Sequence, residues 1–127
     1  MKKFAIIVYL FAISLASCSE NSPNDLLEPV VTLDVTKKIS YVQDVKPIIA
    51  ANCISCHGEV SSVGSISLHN FVTVKNSLSN SNVNRNLLTR INLDPNTNGS
   101  AMPQGGPKLS QIQIDIITKW QTDGFAE

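Results

Sequence analysis

The chain has 127 residues, with ten basic and ten acidic side chains and a formal net charge of zero. That length holds one small domain, and so balanced a charge offers no electrostatic footprint for nucleic acid. Three cysteines are too few for the disulfide framework of a small secreted domain.

Residues 1–17 read as an export signal. Lys2 and Lys3 form a positive start, and the run from Phe4 to Ala16 is apolar except for Ser14. It falls short of the roughly 20 apolar residues that cross a bilayer. Leu15-Ala16-Ser17-Cys18 has the form of a bacterial lipobox, in which the cysteine becomes the acylated mature N-terminus. An ordinary secretory signal containing a cysteine is the competing reading. Cys18 directly after the small residues favours lipidation. Losing Lys2 and Lys3 leaves 8 basic against 10 acidic residues, a net of −2. Residues 18–39 open on Ser, Asn, Pro and Glu and are expected to form a flexible tether to a domain over 40–127.

Within that domain the apolar spacing predicts a helix from Tyr41 to Asn52, with Ser40 and Gln43 as a capping box. Val42, Val45, Ile49 and Cys53 share one face. Pro47 marks either a kink or a start nearer Asp44. Gly58 to Gly64 reads as loop. Helices follow at Phe71–Leu78 (Phe71, Val74, Leu78) and Asn84–Asn92 (Leu87, Leu88, Ile91). Between Leu93 and Lys108 the dipeptides Asp94-Pro95, Asn98-Gly99, Met102-Pro103 and Gly106-Pro107 exclude regular structure. The last helix is capped by Ser110 and Gln113, carries Ile112, Ile116, Ile117 and Trp120 as its stripe, and stops before Gly124. The fold class is all-α.

The chemistry lies at Cys53-Ile54-Ser55-Cys56-His57, the C-x-x-C-H pattern of c-type haem attachment. Residues three and four apart on a helical turn share a face, so two thiols and one imidazole can address one flat porphyrin. The thiols add to its vinyl groups and His57 meets the iron, its other ring nitrogen donating to a backbone carbonyl. A redox disulfide prefers such a motif at a helix start after a strand, which is not the context here. A zinc site would need His69 beside Cys53, Cys56 and His57. Adjacent Cys56 and His57 rarely both bind one tetrahedral ion with Cys53.

An iron in an electron carrier commonly has a second axial ligand, and methionine is one solution. Once the signal is removed, Met102 is the sole methionine. It lies in the breaker-rich loop, which would let its thioether reach across a haem plane; filling a core gap is the alternative. His69, near a helix start, reads as a surface or capping residue. A domain of about 85 residues is marginal on apolar burial alone, and a buried macrocycle would help hold it.

Tyr41-Val42-Gln43-Asp44-Val45-Lys46-Pro47-Ile48-Ile49 followed by Cys53 to Gly58 resembles the haem-binding start of small bacterial class I c-type cytochrome domains. Met102-Pro103, Gly105-Gly106 and Lys108-Leu109-Ser110, then Ile116 to Gly124, resemble their distal loop and closing helix. The likeness covers roughly residues 40–126 and is loose between Glu59 and Asn98. It implies N- and C-terminal helices that cross, with one covalent haem c between them and the distal loop, and Trp120 near the crossing. The implied function is single-electron transfer with His57 and Met102 as axial ligands, exchanged with other redox proteins at a membrane surface, with no small-molecule substrate. The lipid on Cys18 would hold the chain to a membrane facing the periplasm, the outer membrane being favoured because Ser19 follows Cys18. Arg90 pairs with a haem propionate or is simply solvated. The competing classes are a haem enzyme or gas sensor with an open distal site, a subunit domain of a larger redox complex, and, last, the zinc site.

Overall fold

Ser40 opens the first helical run, and the computed structural model, which describes residues 33–60 and 63–127, shows how. Cys18, the expected signal and the tether up to residue 32 lie outside the described residues. The Ser40 hydroxyl accepts from the Gln43 N–H at 3.2 Å. Asp44, rather than Gln43, makes the return contact, its Oδ2 accepting from the Ser40 N–H at 2.9 Å. The shift by one residue follows from a wide turn: Tyr41–Val45 is a single π-turn, in which the Lys46 N–H reaches back to the Tyr41 carbonyl. The chain then enters α1 (Lys46–Asn52), with Pro47 in its first turn, where a missing N–H costs little. The wide turn also changes which side chains face inward. Val42, placed on the core face by α-helical spacing, is 51% exposed, and Tyr41 is buried in its stead. Val45, Ile49 and Cys53 are buried as that spacing requires.

Asp44 carries a testable consequence. The Lys37 ammonium, 2.8 Å away, and the Ser40 backbone amide hold its carboxyl below the usual aspartate value of 3.8. A carboxyl with a depressed folded pKa contributes stability above its unfolded value and loses it as pH falls through the folded one. Asp44→Asn is therefore expected to cost about 1 kcal/mol at pH 7. Urea midpoints should show the gap to wild type closing below about pH 4.

Past α1 the backbone breaks at Cys53 (φ −126°, ψ −37°), and α2 (Ile54–His57) adds one turn. A side chain at Gly58 would place its Cβ 2.9 Å from the Ile54 carbonyl oxygen, so the turn must end on glycine. Helix α3 (Phe71–Leu78) starts at Asn70, which forms a reciprocal capping box with Thr73, and buries Val74 and Leu78. Helix α4 (Leu87–Asn92) begins three residues later than its apolar pattern suggests. Asn80 and Asn82 each accept from a backbone N–H two residues on, and Asn86 caps the helix. Short amides used in this way favour turns over helix.

Residues 93–110 form no helix or strand, as the breakers require. Helix α5 (Gln111–Thr122) carries the full Ser110–Gln113 capping box. It buries Ile114, Ile117 and Trp120, whereas Ile112 and Ile116 are only half-buried. Two rows pass through Trp120, one at spacing four (112, 116, 120) and one at spacing three (114, 117, 120). The second faces the core. Among the described residues the structure is helical and holds no strand, so the all-α class stands.

The two ends of the domain meet. Leu33 and Ile39 pack against the core ahead of Ser40, and Ser40 forms a parallel bridge with Ala126. The Ala126 carbonyl accepts from the Tyr41 N–H at 2.9 Å and from Trp120 Nε1–H at 2.6 Å. Gly124, at φ +87°, supplies the left-handed reversal that this return needs. The Trp120 ring lies 5.5 Å from Tyr41, 5.7 Å from Phe71 and 4.9 Å from Phe125 between centroids. The first and last helical runs are joined through this aromatic cluster.

Candidate functional site

Cys53, Cys56 and His57 occupy one turn, with the N–H groups of Cys56 and His57 both donating to the Cys53 carbonyl at 3.2 and 2.9 Å. The segment 66–68 then runs back along that turn. Leu68 donates its N–H to the His57 carbonyl at 2.7 Å, and Ser67 Oγ donates to the Gly58 carbonyl at 3.2 Å. His57 Nδ1 sits 2.9 Å from the Ile66 carbonyl oxygen. A carbonyl can only accept, so Nδ1 carries a proton, and in the neutral ring the lone pair is on Nε2. That fixes the tautomer.

All three residues line a cleft of about 280 Å3, and so does Met102. Ile66, Leu68, Leu87 and Ile91 supply apolar wall. Met102 is half-buried in the irregular loop, and its N–H donates to the Arg90 carbonyl on α4 at 3.0 Å. Lys108 Nζ donates to the Asn92 carbonyl at 3.1 Å, so the loop is fastened to α4 at two points. Arg90 lines the cleft, together with Arg85, which sequence reasoning missed. Arg85 lies within the expected helix Asn84–Asn92 but stands ahead of the observed α4, in the turn before Leu87. Among the described residues no carboxylate lines this cleft, and neither arginine has an acidic partner.

His69 stands apart from this cleft. Its Nε2 accepts from Asn70 Nδ2 at 2.8 Å, and its Nδ1 lies 2.6 Å from Ser67 Oγ. Both ring nitrogens are thereby occupied. Among the described residues no group of three His, Cys, Asp or Glu side chains converges to hold a metal ion, so the Cys53, Cys56, His57 and His69 set of a zinc site is not assembled. No described helix is long and apolar enough to cross a membrane.

Both described cysteines are free thiols, Cys53 buried and Cys56 exposed. Burial pushes the Cys53 thiol up to about 11, and only the thiolate is a good nucleophile. In the unmodified chain, peptide mass spectrometry after iodoacetamide treatment at pH 8 should show rapid labelling at Cys56. Cys53 should react at least about tenfold more slowly than an ordinary exposed thiol.

Comparison of the chain with family models, curated proteins and solved structures finds no match in any of the three. The reading therefore rests on the chemistry of the cleft. Two thiols, an imidazole with a free lone pair at Nε2 and a thioether border one largely apolar space. Such a set can bond covalently to a flat apolar group and offer one nitrogen and one sulfur to a metal within it.

Proposed function

We propose that the chain is an exported, lipid-anchored c-type cytochrome that carries single electrons. Cys53 and Cys56 hold one haem c through thioether bonds, with His57 Nε2 and the Met102 sulfur as axial ligands. The domain is of the class I kind, its first and last helical runs crossing over the haem pocket. The observation that carries this reading is the fixed His57 tautomer in a cleft that also gathers both thiols and Met102. The donor set fits the group, because c-type attachment needs two thiols and a nitrogen ligand on one turn, and methionine suits the far side of a carrier's iron.

The bound haem supplies a metal that changes oxidation state by one electron. The chain's own residues supply everything else. The Ile66 carbonyl orients the His57 ring and raises its basicity by accepting from Nδ1–H. The apolar wall of Ile66, Leu68, Leu87 and Ile91 excludes water and lowers the local dielectric. The Arg90 carbonyl holds the Met102 backbone, and the Arg90 guanidinium, which lines the cleft, would be available to a haem propionate. With the His57 ring held by the Ile66 carbonyl and the Met102 backbone held by the Arg90 carbonyl, little in the chain would need to rearrange on a change of charge, which suits electron transfer.

Lipid on Cys18 confines the domain to a membrane surface, on the periplasmic face and more specifically at the outer membrane. Partners there are other redox proteins, met through small transient interfaces. A pyridine haemochrome assay on chain co-expressed with c-type maturation machinery tests the proposal. It should find one covalently held haem per chain, lost when Cys53 and Cys56 are both replaced by serine. A matured chain without haem would overturn it.

A further inference from the structure

A second, open groove of about 290 Å3 adjoins the cleft and shares Ile66, Ser77 and Arg85 with it. Its character is the opposite. Thr73, Asn76, Ser77 and Asn80 line it from α3 and its C-terminal continuation, at the spacing of one helical face. Ser65 and Ser67 close it from the facing segment. The other face of α3 buries Val74 and Leu78, so the helix has an apolar side on the core and a polar side on the groove.

Its hydrogen-bonding capacity divides in two. Thr73, Ser77 and Ser67 are committed to backbone, their hydroxyls donating to the carbonyls of Asn70, Arg85 and Gly58. The Ser77 contact pins the Arg85 backbone to α3. The remaining donors are the Ser65 hydroxyl, the amide NH2 groups of Asn76 and Asn80, and the Arg85 guanidinium. No hydrogen bond joins any of these donors to another described residue. The charge around them is one-sided. From residue 60 to residue 93 the sequence holds Lys75, Arg85 and Arg90 but no Asp or Glu. Lys75 is engaged elsewhere, over the Phe71 and Phe125 rings.

We propose that this groove binds a small oxyanion of the phosphate class. Arg85 is the charged anchor, and Asn76, Asn80 and Ser65 are the neutral donors. A cation meets a guanidinium and no carboxylate, and an apolar ligand meets hydroxyls and amides. A neutral polyol leaves the guanidinium without a counter-charge. A tetrahedral anion with several acceptor oxygens satisfies the whole set, with the guanidinium giving paired charge-assisted bonds. Because Arg85 also lines the cleft, an anion in the groove competes for it with any anionic group held there. The proposal does not depend on what the cleft holds.

The test is titration of the full chain with inorganic phosphate, at ionic strength held constant with chloride, followed by proton–nitrogen NMR. Saturable shifts are expected at the Arg85 Nε–H and the Asn76 and Asn80 side-chain amides. Arg85→Gln should weaken phosphate binding by about tenfold or more, with Arg85→Lys retaining part of it. Asn76→Asp should abolish binding through repulsion while the rest of the spectrum stays in place, which separates loss of the site from loss of the fold. Shifts that do not saturate, or that chloride reproduces, would overturn the proposal. So would unchanged phosphate affinity in Arg85→Gln.

Discussion

Replacing Met102 by alanine in the haem-loaded protein is expected to remove the sulfur-to-iron charge-transfer band of the oxidised form. The same change should leave a high-spin spectrum that shifts when carbon monoxide is added after reduction. The reduction potential should fall on the order of 0.1 V, because a methionine ligand raises it. The structure supplies the reason to expect so local an effect. Met102 is presented by a loop fastened to α4 through the Arg90 and Asn92 carbonyls, and both bonds use atoms that the substitution leaves in place. The fold should survive and the ligand alone should go. Under the proposed function the substitution would leave thioether attachment at Cys53 and Cys56 in place, so haem content should remain at one per chain. A wild-type protein that already binds carbon monoxide and lacks the band would instead favour a gas sensor or haem enzyme.

The second large effect is structural. Trp120→Ala should cost about 3–5 kcal/mol, against the roughly 5–15 kcal/mol that holds a small domain together. Trp120 is fully buried, contacts three aromatic rings and donates Nε1–H to the Ala126 carbonyl. Removing it opens the junction between the first and last helical runs and leaves that carbonyl with the Tyr41 N–H as its donor. Thermal melting followed by circular dichroism should show a midpoint lower by about 12–40 °C, at about 4–8 °C per kcal/mol. Trp120→Phe keeps a ring in the cluster and gives up the hydrogen bond, so its loss should be much smaller. Equal losses in the two variants would place the stability elsewhere.

What the sequence made legible was what local chemistry decides. The Ser110–Gln113 capping box and the end of α5 before Gly124 depend on residues within a turn of one another, and both are present. The spacing of Cys53, Cys56 and His57 could be read as one turn for the same reason. Inferences failed where a longer-range choice intervened. A π-turn cannot be told from an α-turn by apolar spacing, so Val42 was assigned inward where Tyr41 goes. Two apolar rows cross at Trp120, and only packing chooses Ile114 over Ile112 and Ile116. The helix expected from Asn84 starts only at Leu87, because the amides of Asn80 and Asn82 turn the backbone and Asn86 caps the helix. A backbone acceptor for His57 was foreseeable from ligand chemistry, but its identity as Ile66, nine residues on, was not.

The meeting of Ser40 with Ala126 determines how this domain can be joined to others. Ser40 and Ala126 meet beside Trp120, whereas Cys53 lies at the other end of a helical run about 18 Å long. A second domain fused after Glu127 would emerge beside Ser40, at the end of that run away from Cys53. A circular permutant joined where Ser40 and Ala126 meet could open new ends in the exposed turn near Asn82.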